Sequence, residues 1–305
     1  MLIRHATHND HAEWLRLRST LWPDCPLDDH HSEMQEQLDD QARNAVYVIE
    51  RDTGKLGGFL EASLRAYADG CRTSPVGYIE GWYVDADLKT AVIDCARRSF
   101  RNTGQICNSV NRIFVHESLA APFVEQLVEA TRKMVVGNGL EKPNVDLGPM
   151  VNQEGVDRTL RHIQDAVGRG ARLLCGGTRP SGEEFGKGFY LEPAVLDRVP
   201  PEALIMNEET FGPAVAVASF STLDQAIEKA NATRYGLVAY AYTKDLGTVQ
   251  ALINRLDFGT VCVNNTAAAS YQAPYGGWKD SGLGVELSHH AMDEYLRLKH
   301  VRIQS

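Results

Sequence analysis

Residues 80–95 read EGWYVDADLKTAVIDC, and two kinds of chain meet inside them. Through Val84 the stretch continues a pattern of hairpin strands with a few helices. From Leu88 it opens a pattern of amphipathic helices alternating with apolar strands. The residues VDADL, 84–88, serve both. The join carries no Pro/Ser/Gly spacer, unlike an ordinary domain boundary.

Working toward the N-terminus, VGYIEGWYV (76–84) reads as a strand, and AVYVIERDTGKLGGFLEASLRA (45–66) as two strands joined by a turn at Gly54. DDHHSEMQEQLDD (28–40) is a polar helix with few apolar anchors. In HAEWLRLRSTLW (11–22), Trp14, Leu15, Leu17 and Leu21 fall near helical spacing, and Trp22-Pro23 stops the helix. LIRHA (2–6) is a short strand. This is an α+β segment with its helices on one side.

Working toward the C-terminus, LKTAVIDCARRSF (88–100) and SLAAPFVEQLVEATRKMV (118–135) predict helices. GVDRTLRHIQDAVGRG (155–170) places Val156, Leu160, Ile163 and Val167 on one face and stops at Gly170. ARLLC (171–175) follows as a strand, then a Gly-rich excursion. AVAVASF, TLDQAIEKANA, LVAYAYT, LGTVQALINRL and GTVCVNN then alternate strand and helix. The expected fold is α/β, three layers around a largely parallel sheet, with the α+β segment ahead of it.

The 305 residues suit about two domains, and 43% hydrophobic with 23% charged residues is ordinary for a globular chain. A formal net charge of -9 argues against general binding to nucleic acid or anionic membrane. No apolar run approaches a membrane span, and the polar start MLIRHATHNDHAEW has no signal-peptide core, so a cytoplasmic protein is expected. Cys25, Cys71, Cys95, Cys107, Cys175 and Cys262 contain no C-x-x-C pair and read as free thiols. His5, His8 and His11, and the pairs His30-His31 and His289-His290, lack zinc-ligand spacing, so no metal is expected. There is no G-x-S-x-G elbow and no phosphate-binding P-loop.

LRSTLWPD (17–24), EASLRAYADGC (61–71) and SPVGYIEGWYVDADL (74–88) together resemble the aminoglycoside 6'-N-acetyltransferases of the GNAT superfamily. The resemblance covers about residues 1–88. It implies that Tyr83 and Val84 would bond the pantetheine arm of acetyl-CoA, that Glu80 would sit near the amine, and that Trp22 would line an aminoglycoside site. Alone, a strand Glu is usually a solvated residue and a Trp ending a helix a core or rim residue. The family continues with a glycine-containing loop whose N–H groups hold the pyrophosphate. Here no glycine falls between Gly81 and Gly104. Acetyl-CoA binding and acetyl transfer are therefore not expected.

FRNTGQICNSVNRIFV (100–115), EETFGPAVAV (208–217), NATRYGL (231–237) and APYGGWKDSGLGVELS (273–288) with DEYLRLKHV (293–301) resemble, in order, the NAD(P)-dependent aldehyde dehydrogenase superfamily, nearest its semialdehyde-type members. Its catalytic domain would occupy 89–305. An isolated cysteine is by default an inert buried thiol. Within GQIC, beside the other motifs, Cys107 is identified as the nucleophile, forming a thiohemiacetal and then a thioester with an aldehyde. The turn before it offers N–H groups to a thiolate or oxyanion. The resemblance implies that Glu209 would bond the nicotinamide ribose of NAD(P) and that Phe211 would pack by the nicotinamide. Val285 stands where many members have Arg. The family's dinucleotide-binding domain, with its oxyanion asparagine and activating glutamate, is not recognisable in residues 1–88. The expectation is weak or lost NAD(P) binding and impaired turnover. The C-terminal YLRLKHVRI is expected to favour self-association. The alternatives are an aminoglycoside-binding acetyltransferase relative or an inactive recombination product.

Overall fold

The structure, a computed structural model, describes residues 2–51, 53–65, 76–84 and 88–304, with the backbone only for 65 and 76–84. The chain divides into two compact units, Met1–Asp87 with Thr243–Gly247, and Leu88–Tyr242 with Thr248–Ser305.

The first unit runs β1 (Leu2–His5), α1 (His11–Leu21), α2 (Leu27–Asp39), β2 (Asn44–Glu50), β3 (Leu56–Arg65) and β4 (Val76–Val84). The four strands form one antiparallel sheet in the order β1-β2-β3-β4. Gly54, at φ 76°, makes the β2–β3 turn, where a side chain would be strained. The polar α2 still finds anchors, because Met34, Leu38 and His30 are buried. Trp14, Leu17, Met34, Val48 and Phe59 form the core of this unit.

The second unit runs α3 (Leu88–Phe100), β5 (Arg112–His116), α4 (Glu117–Arg132), α5 (Gln153–Gly168), β6 (Arg172–Cys175), β7 (Ala194–Asp197), α6 (Leu204–Asn207), β8 (Ala214–Phe220), α7 (Leu223–Asn231), β9 (Tyr235–Gly236), β10 (Val238–Ala241), α8 (Leu246–Arg255), β11 (Thr260–Val263) and β12 (Trp278–Lys279). Its sheets correct the expectation of one largely parallel sheet. Four strands lie in the order β5-β8-β7-β6, with β5, β8 and β7 parallel and β6 antiparallel. A parallel return needs a crossover helix. Between β6 and β7 there is only the short 3-10 turn Glu183–Phe185, so β6 runs backward. Strands β10 and β11 form a separate parallel pair, and β12 pairs β9 antiparallel.

Two further readings change. The Gly-rich excursion contains β7, whose Ala194, Val195 and Leu196 are fully buried. On α5 the buried face is Val156, Thr159, His162, Ile163 and Ala166, while Val167 is 44% exposed. Ala166 is three residues beyond Ile163 and closes that face one position earlier. The C-terminal Leu296–Ile303 pairs with no strand among the described residues, and its Leu296, Leu298, Val301 and Ile303 are exposed.

Candidate active site

Cys107 stands in a turn between α3 and β5, and the backbone leading to it is unusual. Asn102, Thr103 and Gly104 have φ of 51°, 58° and 72°, three successive left-handed residues. Non-glycine residues occupy that region only when their surroundings fix them. Here Thr103 Oγ1 donates to the Gly148 carbonyl at 3.1 Å, and Asn102 Nδ2 donates to the Gln105 carbonyl at 3.1 Å. The Gln105 amide donates to the Asn102 carbonyl at 3.1 Å and accepts from Val151 N–H at 2.9 Å. Gly104 cannot be replaced without displacement, because a Cβ there would run into the Gly212 carbonyl. The GQIC and FGP motifs, over a hundred residues apart in sequence, are thus in backbone contact.

The thiol of Cys107 is exposed, and its own N–H has no hydrogen-bond partner among the described residues. Cys95 and Cys262 are buried, and Cys25 and Cys175 are half-buried. Burial, then the nearby Asp94, pushes the Cys95 thiol up to about 12. Burial also pushes Cys175 and Cys262 up. Cys71 lies outside the described residues.

A set of polar side chains surrounds the thiol. Arg98 Nη1 donates to Asn108 Oδ1 at 3.4 Å, which fixes the amide so that its Nδ2 donates to the Tyr275 hydroxyl at 3.3 Å. Tyr240 donates to the Asn108 carbonyl at 3.1 Å, and the Arg98 guanidinium lies 5.6 Å from the Tyr240 ring centre. Burial pushes the Tyr275 phenol up and the Asn108 amide pulls it down. The neighbouring Cys107 thiol raises it again, through charge and a hydrogen bond.

Glu209 and Phe211 lie on the segment between α6 and β8. Glu209 is exposed and has no partner among the described residues. Phe211 is 36% exposed at φ 48°.

The first unit contains a separate cavity of about 730 Å³, lined by Arg18, Trp22, Asp24, Glu33, Glu36 and Glu61 among others. Arg18 and Glu61 are buried, and Arg18 Nη1 lies 3.5 Å from Glu61 Oε1. Trp14 Nε1 and Gln37 Nε2 donate to Glu61 at 2.8 and 3.0 Å. Burial raises the Glu61 pKa, against Arg18 and these donors. The Arg18 guanidinium sits 5.0 Å from the Trp22 ring centre and pairs with Glu33. Arg18 Nε and Gln37 Oε1 are buried without hydrogen-bond partners among the described residues. Of the sequence-derived residues, Trp22 lines this cavity. The backbone register passes from Glu61↔Gly81 to Ala62↔Ile79, which leaves Glu80 at a bulge, and Tyr83 faces Phe59 across the ladder. The side chains of Glu80, Tyr83 and Val84 lie outside the described residues.

Sequence reasoning missed Glu61, although a signal existed. It shares the inward face of β3 with buried Phe59, two residues earlier. It also missed Arg98, Asn108, Tyr240 and Tyr275, whose meeting at the thiol is tertiary. Among the described residues no cluster of three or more His, Cys, Asp or Glu could hold a metal. No described helix is long and apolar enough to cross a membrane.

Comparison with known proteins bears on residues 83–301, which match the model of the family described as "Aldehyde dehydrogenase family". A 3-sulfolactaldehyde dehydrogenase from Pseudomonas putida is 42% identical over 217 residues, 71% of this chain and 44% of that protein. The crystal structure of lactaldehyde dehydrogenase from Escherichia coli superposes with a TM-score of 0.68 at 36% identity, over 72% of this chain and 46% of that one. Betaine aldehyde dehydrogenase from Staphylococcus aureus, solved in complex with NAD+, gives 0.68 at 34% identity, over 71% and 43%. The chain spans less than half the length of these relatives.

Proposed function

We propose, from the premise that this chain belongs to the aldehyde dehydrogenase family, that Cys107 is the nucleophile of an aldehyde-oxidising site. The single observation that supports it most is the exposed thiol on a backbone turn locked by Gln105, Thr103 and the Gly104–Gly212 contact. The thiolate adds to an aldehyde carbon, giving a thiohemiacetal whose oxyanion the Cys107 N–H is free to bond. Loss of hydride leaves a thioester on Cys107, which water hydrolyses to the acid. A bound nicotinamide dinucleotide supplies the hydride acceptor. The fit for its nicotinamide end rests on Glu209, an unpartnered carboxylate that can accept from ribose hydroxyls, and on the half-open face of Phe211.

The described part of residues 2–82, which precede the matched region, builds an antiparallel α+β sheet rather than strands crossed by helices for a dinucleotide. On this reading the chain alone binds NAD(P) weakly, and thiol acylation outlasts oxidation. The test compares wild type with Cys107→Ala for nitrophenol release from an activated ester and for NADH formation from a semialdehyde. The expected outcome is Cys107-dependent ester turnover with a burst and a slow steady rate, and NADH formation near background. An ester rate that survives Cys107→Ala removes the assignment, and robust NADH formation removes the impairment. The exposed Leu296, Leu298, Val301 and Ile303 support self-association through the C-terminal segment. A strictly monomeric chain in concentrated sedimentation runs would count against it.

A second reading has its own observation, the acidic, Trp-walled cavity of the first unit. Asp24, Glu33 and Glu36 offer carboxylates, and Trp22 a ring face, to a multiply charged amine. This supports an aminoglycoside-binding remnant of the acetyltransferase fold. Calorimetric titration with kanamycin is expected to show weak binding that Glu61→Gln with Glu33→Gln abolishes. Acetylation is not expected, because α3 begins at Leu88, where the family's phosphate-holding loop would follow β4.

A further inference from the structure

Within the second unit a carboxylate, an imidazole and a hydroxyl stand in a row. His162 Nε2 lies 3.2 Å from Glu208 Oε2, and His162 Nδ1 lies 3.1 Å from Thr210 Oγ1. A carboxylate only accepts, so Nε2 carries the proton and donates to Glu208. Nδ1 is left as a lone pair, and the Thr210 hydroxyl donates to it. Burial holds the His162 pKa below the usual histidine range against the pull of Glu208, which keeps the ring neutral. Acid, imidazole and hydroxyl in this order also occur where a hydroxyl is a nucleophile. Thr210 is fully buried, however, and no substrate reaches it. The role of the row is therefore positional.

What it positions is the segment carrying Glu209 and Phe211. Arg158 Nε donates to the Thr210 carbonyl at 3.0 Å, so Thr210 is held by both its main chain and its side chain. Thr159, whose hydroxyl donates to the Gly155 carbonyl at 2.8 Å, lies so close to Gly212 that a Cβ there would clash with it. Arg158, Thr159 and His162 share one face of α5 by their spacing. One residue of the clamped segment, Phe211, has a left-handed φ of 48° that a free chain would rarely adopt.

We propose that the Glu208–His162–Thr210 row is a positioning device of the aldehyde dehydrogenase site, its Thr210 hydroxyl bonded to a neutral imidazole so that Glu209 and Phe211 keep their aim at a nicotinamide. The last clause rests on the cofactor roles argued above. Because both groups are buried, water cannot replace a lost partner, and the effect of removing one is large.

The test uses the whole chain with 4-fluorophenylalanine at Phe211 and ¹⁵N-labelled histidine, and β-nicotinamide mononucleotide as the probe. Expected are a His162 ring protonated at Nε2 alone at neutral pH and a single fluorine signal in wild type. Thr210→Val splits or broadens that signal and weakens mononucleotide binding roughly 10-fold, whereas Thr210→Ser, which keeps the hydroxyl, restores both. A charged or Nδ1-protonated ring in the wild type overturns the proposal with no variant needed. So does a fluorine signal indifferent to Thr210→Val, or a Thr210→Ser chain that behaves like Thr210→Val. A mononucleotide that leaves the wild-type fluorine unmoved, with the Val and Ser variants still contrasting, sinks the cofactor roles and leaves the clamp standing.

Discussion

At Cys107 the chemistry of one atom depends on residues far along the chain. Asn108 takes a hydrogen bond from Arg98 and passes one to Tyr275, which touches the thiol. Tyr275→Phe removes the hydroxyl while keeping the ring. Since one neutral hydrogen bond contributes about 1 kcal/mol, the rate of Cys107 alkylation by iodoacetamide at neutral pH is expected to fall roughly 5-fold. Mass spectrometry of the labelled peptide reads this, and an unchanged rate would show that the phenol is a bystander. In the same experiment Cys95 stays unlabelled, held at about 12 by burial. The sequence singled out Cys107 as a candidate because Gly104-Gln105 precedes it within one turn. Tyr275 is 168 positions away and sits in a cluster that reads as a surface turn, so its place at the thiol follows only from the fold.

Among the elements, α5 shows how far periodicity carries. Its existence, its stop near Gly170 and the anchors Val156 and Ile163, with the half-buried Leu160 beside them, were readable from the apolar spacing. The fourth was misplaced because Val outranks Ala in hydrophobicity, although Ala166 is fully buried and Val167 is not. His162 was invisible for the opposite reason, as a polar residue within an apolar stripe, satisfied by Glu208 and Thr210 from another segment. Removing two methyls at the fully buried Val156 should lower stability by about 2 kcal/mol in urea titrations. Val167→Ala should stay within about 0.5 kcal/mol. Equal losses would restore Val167 to the core. The reversed β6 was equally unreadable, because direction depends on whether a helix intervenes, and a Gly-rich stretch does not announce that.

Across the molecule, each unit has a core of its own, one around Trp14 and Phe59, the other around Phe100, Leu127 and Val215. The change of pattern at VDADL was legible because strand pairing and helix–strand alternation have different periods. The first unit should show its own response to acid. Arg4 donates to both oxygens of Asp10, at 2.7 and 2.8 Å, and these bonds, aided by Thr7, pull the Asp10 carboxyl from 3.8 down to about 2. A carboxyl with its folded pKa below its unfolded one stabilises the fold fully above the unfolded value. That contribution, about 2 kcal/mol, is lost as pH falls from about 4 through 2. Trp14 and Trp22 emission should therefore report a steeper loss of urea resistance over this window in wild type than in Asp10→Asn, which should be weaker at neutral pH and flatter toward acid. Parallel curves for the two would place the acid response elsewhere.

The contact between Gly104 and the Gly212 carbonyl has one more consequence. It leaves no slack between the turn that aims the thiol and the turn that carries Phe211. A side chain at Gly104 would force one of the two turns to move. Two sites joined so tightly obey reciprocity: whatever factor an occupant beside Phe211 imposes on ligand binding at Cys107, a ligand at Cys107 imposes on that occupant. If the proposed thiol site and the proposed nicotinamide site are both occupied, any coupling carried by this contact is mutual.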